Sequence, residues 1–401
     1  MPTLIIAFWL LLFIVFYSYI GYGILLGLLV KLRNSRIIMP DLIDSDLPNV
    51  TFLIAAYNEE AWIEAKIRNS LALNYPKDKI QFFFVTDGSN DKTMEHIINY
   101  KNSEKANIQL FHQDARRGKI AAVERVMPFV ETPIIVFTDA NTDINPQAIR
   151  NIVRHYKDFH VGAVAGEKRV QMSGEASGAG EGIYWKYESL LKNWDSRLYS
   201  AVGAAGELFS IRTDLYKPVE TDTLIEDFVM TMRIAQEGYK IVYEPNAYAI
   251  ETHSANVKEE LKRKIRISAG GLQAVWRLRG LLNPFKYPVL SFQYISHRVL
   301  RWTLAPLALP LIFLFNAMIL MSATDSSNST IPFSIYQSLF VMQIFFYIIA
   351  VVGWIFEQFK IKIKAFYVPF YFCMMNYSVY RGFIRLMLGQ QSVVWEKSKR
   401  A

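Results

Sequence analysis

Residues 1–30 contain no Asp, Glu, Lys, Arg or His. Residues 302–401 hold only three acids (Asp325, Glu357, Glu396) against eight Lys and Arg, so 33 acids and 36 bases crowd into residues 31–301. A well-charged middle between two apolar blocks excludes a plain soluble enzyme. It also excludes a nucleic-acid binder, because the middle carries a net charge of only +3 and a basic excess would have to lie there. With 52% hydrophobic residues the chain can bury enough surface to offset the entropy of ordering, which excludes disorder. Cys373 is the only cysteine, so no intrachain disulfide can form.

Leu4–Val30 exceeds the roughly 20 residues that span a bilayer core. It lacks a basic leader and a small-residue cleavage site, which favours an anchor over a cleaved signal peptide. Lys31, Arg33 and Arg36 follow at once, and positive charges favour the cytoplasmic side. That predicts a cytoplasmic middle domain. Trp302–Thr324 and Phe333–Phe356 are two further crossings, joined outside by the polar stretch Asp325–Thr330. Ala365–Leu388 contains Pro369, Asn376, Arg381 and Arg385, and reads either as a fourth crossing or as a re-entrant segment. The basic end, Lys397, Lys399 and Arg400, prefers the inside.

From Val50 short apolar runs alternate with helical stretches, the pattern of a parallel α/β sheet. Strands are predicted at Val50–Ala55, Ile80–Val85, Ile108–His112 and Pro133–Thr138, with helices at Glu60–Leu73, Asp91–Tyr100 and Lys119–Phe129. Polar clusters follow each strand: Tyr57-Asn-Glu-Glu60, Thr86-Asp-Gly-Ser-Asn-Asp91, Arg116-Arg-Gly-Lys119 and Thr138-Asp-Ala-Asn-Thr142. Ligands on such sheets bind beyond the carboxyl ends of the strands, so four clusters there build one pocket. Asp87 can accept hydrogen bonds from a base or ribose. Asp139 and Asn141 offer hard oxygen ligands for Mg2+ or Mn2+. Lys119, behind a glycine at a helix start, can meet a phosphate. Base, metal and phosphate groups together point to a nucleotide. No dinucleotide fingerprint or P-loop is present to support a dehydrogenase or an ordinary ATPase.

Ala56-Tyr-Asn-Glu59, Asp87-Gly-Ser-x-Asp91, Gly118-Lys119, Asp139-Ala-Asn141, Glu226-Asp227 and Arg263-x-x-Arg266 stand in the order seen in membrane family 2 glycosyltransferases. Over residues 45–300 the chain resembles the hyaluronan, chitin, cellulose and poly-N-acetylglucosamine synthases. The resemblance implies an α/β, Rossmann-like GT-A domain (45–255) inserted between an N-terminal transmembrane helix (1–31) and C-terminal helices. Those comprise amphipathic interfacial helices with the Arg-x-x-Arg motif (256–301) and a transmembrane region (302–401). It further implies an inverting transfer from a UDP-sugar at a multi-pass inner membrane, with a Mg2+ or Mn2+ ion on the diphosphate. Position by position, Tyr57 and Glu59 border the nucleoside, Asp87 contacts the uracil, and Lys119 reaches the diphosphate. Asp139 and Asn141 hold the metal, and Asp227 is the general base. Arg263 and Arg266 close over the diphosphate. Gly203 and Gly206, in Val202-Gly-Ala-Ala-Gly-Glu-Leu-Phe209, shape the acceptor side with Glu226.

Three departures bear on the product. Asn141 replaces the second acid of the usual Asp-x-Asp, Ile225 replaces the Thr of Thr-Glu-Asp, and the usual Gln-x-x-Arg-Trp reads Arg263-x-x-Arg266-Ile267. The last change removes a residue associated with the acceptor end of processive synthases. The acceptor is accordingly a growing β-linked cell-surface polysaccharide or, alternatively, a lipid such as a polyprenol phosphate or sphingolipid. A degenerate nucleotide-sensing domain of an assembly factor is the non-enzymatic alternative. Few crossings make a thin polymer conduit, so a homo-oligomer, an export subunit or no translocation would each fit. Among the aromatics, Tyr184, Trp185, Tyr187 and Trp194 could stack on sugars, although helical spacing favours packing. His253 could complete a metal shell, although a lone histidine more often packs or faces solvent. The stretch Val257–Leu282 reads as an amphipathic helix lying on anionic lipid, with Arg263 and Arg266 as exceptions.

Overall fold

The computed structural model describes residues 2–33, 42–103, 107–171, 176–252, 256–324, 333–359, 361 and 363–389, with the side chains of 176–184, 323–324 and 333–334 outside the description. The helices α1 (Pro2–Phe16) and α2 (Tyr22–Arg33) form one rod joined by a π-helical turn, Tyr17–Gly21. Next come β1 (Val50–Ala56), α3 (Glu60–Leu71), β2 (Ile80–Asp87), α4 (Thr93–Ser103), β3 (Ile108–Gln113) and α5 (Lys119–Val126). They are followed by β4 (Ile134–Asp139), β5 (Thr142–Ile144), α6 (Ala148–Val153), β6 (Val161–Gln171) and α7 (Ala176–Leu198). The domain closes with β7 (Leu208–Arg212), α8 (Glu226–Gln236) and β8 (Lys240–Thr252).

The eight strands make one sheet in the order β3-β2-β1-β4-β7-β6-β8-β5. β3, β2, β1 and β4 are parallel, as the sequence pattern predicts. Their residues are apolar on both faces: Leu53 joins one core cluster, and Phe52 and Ile54 the other. The chain winds from β1 outward to β3 and then returns to β4 on the other side of β1. That reversal opens a crevice at the carboxyl ends of β1 and β4, where Tyr57 and Asp139 lie. Beyond β4 the sheet departs from the parallel expectation. Only Ala140 and Asn141 separate β4 from β5, too few for a crossover, so β5 leaves to pair antiparallel with β8. β7 runs antiparallel to both β4 and β6.

After the sheet come α9 (Val257–Arg277), α10 (Pro288–Tyr294), the helical turn α11 (Leu300–Trp302), α12 (Leu304–Thr324), α13 (Phe333–Gln358) and α14 (Lys364–Met387). A second π-helical turn, Ile295–Val299, joins α10 to α11, and the two π turns meet through Tyr17 and Ser296 hydroxyls 2.8 Å apart. Among the described residues three helices are long and apolar enough to cross a membrane: Pro2–Arg33, Leu304–Ser322 and Ile335–Gln358. Arg36, Asp325–Thr330, His253 and the basic residues after 396 lie outside the described residues. α14 is one unbroken helix that is not among these three, and its Arg381 is exposed beside Tyr377.

Asn256 caps α9 by accepting from the Glu259 N–H at 3.0 Å. Lys264, Ile265, Ser268, Ala269, Gly270, Gly271 and Ala274 are buried, because α14 packs along it. A Cβ on Gly382 would come within 2.7 Å of the Ala269 nitrogen, so glycine there lets the two helices approach. Of the small residues 268–271, Ser268 and Ala269 meet α14, whereas Gly270 faces Leu224 and Ile225 and Gly271 faces Trp302.

Candidate active site

A cavity of about 1000 Å³ begins at the ends of β1, β2 and β4 and runs under α9 to the N-terminal rod and α14. Tyr57, Glu59, Asp87, Lys119, Asp139, Asn141, Gly206, Glu226, Asp227, Arg263 and Arg266 all line it. Gly203, expected beside them on the acceptor side, does not line the cavity. Its φ of +80° and the Phe228 ring, 2.2 Å from where a Cβ would sit, show a glycine required for packing behind the loop.

At the strand ends the loops after β1 and β2 are tied together. The Asn58 N–H donates to Ser89 Oγ at 3.1 Å, and the Asn58 amide donates to Asn90 Oδ1 at 2.8 Å. Asp91 is a cap: its carboxylate accepts from the Thr93 N–H at 3.0 Å and the Glu60 N–H at 3.1 Å, steadying α4 and α3. The Arg116 guanidinium lies 3.6 Å over the Tyr57 ring, forming one wall. Gly88 has φ +70°, and a Cβ there would strike Arg116, so only glycine allows this wall to approach. Asp87 Oδ2 accepts from the Arg117 and Gly118 N–H groups at 2.9 and 2.6 Å. Half of the carboxylate therefore holds the loop that presents Lys119. Its buried Oδ1 makes no hydrogen bond and stands 3.8 Å from Arg125.

The centre is a lysine among carboxylates. Lys119 Nζ is 2.8 Å from Asp139 Oδ1 and 3.0 Å from Glu226 Oε1. Burial alone would lower this ammonium, but the two acids outweigh it and hold it above the ordinary lysine value. The same lysine, with Arg266, pulls Glu226 below the ordinary range against its burial. Asp227, next along α8, is pushed up to about 7 by burial and by the Glu226 charge. One carboxylate is thus fixed as an anion and its neighbour is poised near neutrality, the arrangement expected of a general base. A Cβ on Gly206 would stand 3.4 Å from Asp227 Oδ2, so the glycine keeps that approach open. Arg266 donates to the Leu224 carbonyl at 3.2 Å, and burial lowers its pKa. Arg263 is bound by Glu260 at 3.1 Å and lies 3.7 Å from Glu251.

Sequence reading missed several charged residues here. Lys168 bonds Glu207 and Glu251, and Glu207 and Glu251 both line the cavity. Lys66, on α3, is buried and donates to Thr138 Oγ1 (3.1 Å), the Thr142 carbonyl (2.9 Å) and Thr142 Oγ1 (3.1 Å), which fixes the turn carrying Asp139 and Asn141. Of the aromatics, Tyr187 donates to the Tyr19 carbonyl and Trp194 packs on Gly27, so both are tied to the N-terminal rod. Trp185 stands between Lys168 and Lys264, each about 5 Å from its ring. The Tyr184 side chain lies outside the described residues.

No group of three or more His, Cys, Asp or Glu in a metal-holding arrangement occurs among the described residues. A hard cation carried on a diphosphate needs only one or two protein oxygens, the rest coming from phosphate and water. Lys119 takes the Oδ1 of Asp139, burial raises this carboxyl, and Asp139 and Asn141 both line the cavity, so the pair fits such a cation.

Residues 51–218 match the family model for Glycosyl transferase family 2. The chain is 28% identical over 255 residues to the poly-beta-1,6-N-acetyl-D-glucosamine synthase of Staphylococcus aureus strain COL, covering 62% of this chain and 60% of that protein. Identity to the synthase of the same name from Staphylococcus epidermidis is 25% over 236 residues, 57% of this chain and 56% of that one. The match thus spans about three fifths of the length of these curated relatives. Among solved structures, a mannosyltransferase from Pyrobaculum calidifontis, in complex with GDP-mannose and Mn2+, superposes with a TM-score of 0.70 at 20% identity, over 96% of this chain and 100% of that one. That likeness is one of fold and bears out the GT-A arrangement expected from the sequence.

Proposed function

We propose that this chain, a glycosyltransferase whose residues 51–218 form a glycosyl transferase family 2 domain, moves a sugar from a UDP-sugar to a growing β-linked polysaccharide at the cytoplasmic face of the inner membrane. Asp227 takes the proton of an acceptor hydroxyl as its oxygen bonds to the anomeric carbon. The bond from that carbon to the diphosphate oxygen breaks in the same displacement, and the configuration inverts. Lys119 and Arg266 supply positive charge where the departing UDP develops negative charge. A bound Mg2+ or Mn2+, held by Asp139 and Asn141, would neutralise further charge on the diphosphate. Glu226 fixes Lys119 and keeps Asp227 basic. Tyr57, Glu59 and Asp87 Oδ1 border the nucleoside, Arg263 closes over the diphosphate with Arg266, and Gly206 shapes the acceptor side.

The observation that carries this reading is the Asp227 carboxyl, raised to about 7 beside Lys119 and open to the cavity past Gly206. The test is UDP release by purified full-length protein. Asp227→Asn should lose about 10²–10⁴-fold in turnover while still binding UDP; unchanged turnover removes Asp227 as base. Because the matched relatives are named for an N-acetylglucosamine polymer, UDP-N-acetylglucosamine heads the donor panel. UDP binding without turnover of any donor under Mg2+ or Mn2+ would instead indicate a nucleotide sensor.

One observation favours a lipid acceptor as the second reading. The cavity reaches Ile20, Ile24 and Val368, apolar residues whose side chains are exposed on the N-terminal rod and α14. A product of fixed mass extractable into organic solvent selects the lipid acceptor, and a ladder of increasing mass selects the polymer.

A further inference from the structure

Lys66, on α3, is only 2% exposed and lies behind the cavity wall, under the turn from β4 to β5. Its Nζ donates to Thr138 Oγ1 (3.1 Å), the Thr142 carbonyl (2.9 Å) and Thr142 Oγ1 (3.1 Å). An ammonium has three hydrogens, and these acceptors use all of them. Burial draws the group down to about 7, although Asp139 and Asp143 act in the opposite sense. A cation here is costly to the fold.

The two hydroxyls show what the cation does. Each has one proton to give. Thr138 Oγ1 donates to the Glu207 carbonyl at 2.8 Å, and Thr142 Oγ1 donates to the Asp139 carbonyl at 2.8 Å. Both oxygens are then acceptors only, and they stand 3.0 Å apart. A donor placed between them satisfies both, and Lys66 is that donor. In its absence one hydroxyl must turn toward the other and release a carbonyl. The one released is either that of Asp139, on the metal turn, or that of Glu207, beside the glycine that faces Asp227.

The same helix grips both neighbouring segments. Asn69 Nδ2 donates to the Ile144 carbonyl at 2.8 Å, and its Oδ1 accepts from the Ile144 N–H at 2.9 Å, which holds the end of β5. The Glu60 N–H, in the first turn of α3, is held by Asp91. Glu60 and Lys66 lie about 9 Å apart along the helix, so α3 spaces the metal turn from the loop that carries Tyr57.

We infer that Lys66 is a positioning residue: by keeping both threonine oxygens as acceptors it lets the Asp139 and Glu207 carbonyls be bound at once, and so sets Asp139 and Asn141 toward a divalent cation on a bound diphosphate. The inference rests on the reading of Asp139 as a metal ligand, and its test separates the two.

Isothermal titration of full-length protein in detergent measures UDP affinity in EDTA and in saturating Mn2+. The ratio is the metal enhancement, and Asp139→Ala gives the baseline for metal that reaches UDP without Asp139. Lys66→Met should bind UDP in EDTA as wild type does, which also shows that it folds, and should lose about 10–100-fold of the enhancement. In the Asp139→Ala background it should lose nothing more, because it acts through that carboxylate. Thr142→Val, of the same shape and suited to a strand, removes the hydroxyl on the Asp139 carbonyl and should lose enhancement likewise; it serves alone if the methionine variant fails to bind UDP in EDTA. Full enhancement in either variant with intact metal-free binding overturns the inference. So does a loss from Lys66→Met that is equally large in the Asp139→Ala background. A wild-type enhancement no greater than that of Asp139→Ala overturns the metal reading itself, and the inference with it.

Discussion

The two ends of the cavity are built by opposite means. At the donor end, Asp87, Lys119 and Asp139 arrive at successive strand ends within 53 residues of sequence, and the parallel half of the sheet aligns them. At the membrane end, Glu188 meets His297 across 109 residues and Asp195 meets Tyr22 across 173. The donor end gathers its charges around Lys119 and holds Asp227 near neutrality. The membrane end locks its charges against one another and so joins the N-terminal rod to the catalytic domain. Substitutions at the first should alter chemistry, and substitutions at the second should alter stability.

The sharpest contrast uses Asp227→Asn. Turnover falls by about 10²–10⁴-fold, while thermal unfolding in detergent stays unchanged or shifts upward, because a buried carboxyl held near neutrality is strained by burial. Glu188→Ala should do the reverse. It leaves Arg298 and Arg301 without their carboxylate, at a cost of about 3–5 kcal/mol, seen as a lowered unfolding midpoint; an unchanged midpoint would remove the distinction between the ends. Asp139→Ala should raise the Mg2+ or Mn2+ concentration needed for half-maximal turnover by about 10–100-fold.

The smallest effect concerns pH. A base with a pKa of about 7 is protonated below that value, so turnover rises with pH toward 7 and falls as acid is added. Burial raises Asp227 first and Glu226 second, so Glu226→Gln removes a raising influence and should move the acidic limb to lower pH by about one unit. A limb that stays fixed would show that another group titrates.

The same contrast explains what the sequence could reveal. The four parallel strands and the clusters after them were legible because each strand is a short apolar run with its functional residues adjacent. Asp227 was legible only through its Glu226 neighbour and its place at a helix start. The antiparallel half was not legible, since nothing in Thr142–Ile144 states that a two-residue turn sends it to β8. Lys66 reads as a solvated helix lysine until Thr138 and Thr142 surround it. Arg298 and Arg301 read only as bases of an interfacial stretch, because the Glu188 carboxylate they share comes from α7, far away in sequence. Gly203 was misread because a glycine-rich stretch mixes cavity-lining and packing positions without marking which is which.

The most direct test of convergence is an experimental structure of the full-length protein with UDP and Mn2+. The diphosphate should lie between Lys119 and Arg266, the metal on Asp139, and the Asp227 carboxylate should face the open side of the cavity past Gly206. A nucleotide seated elsewhere, or a metal held without Asp139, would contradict it.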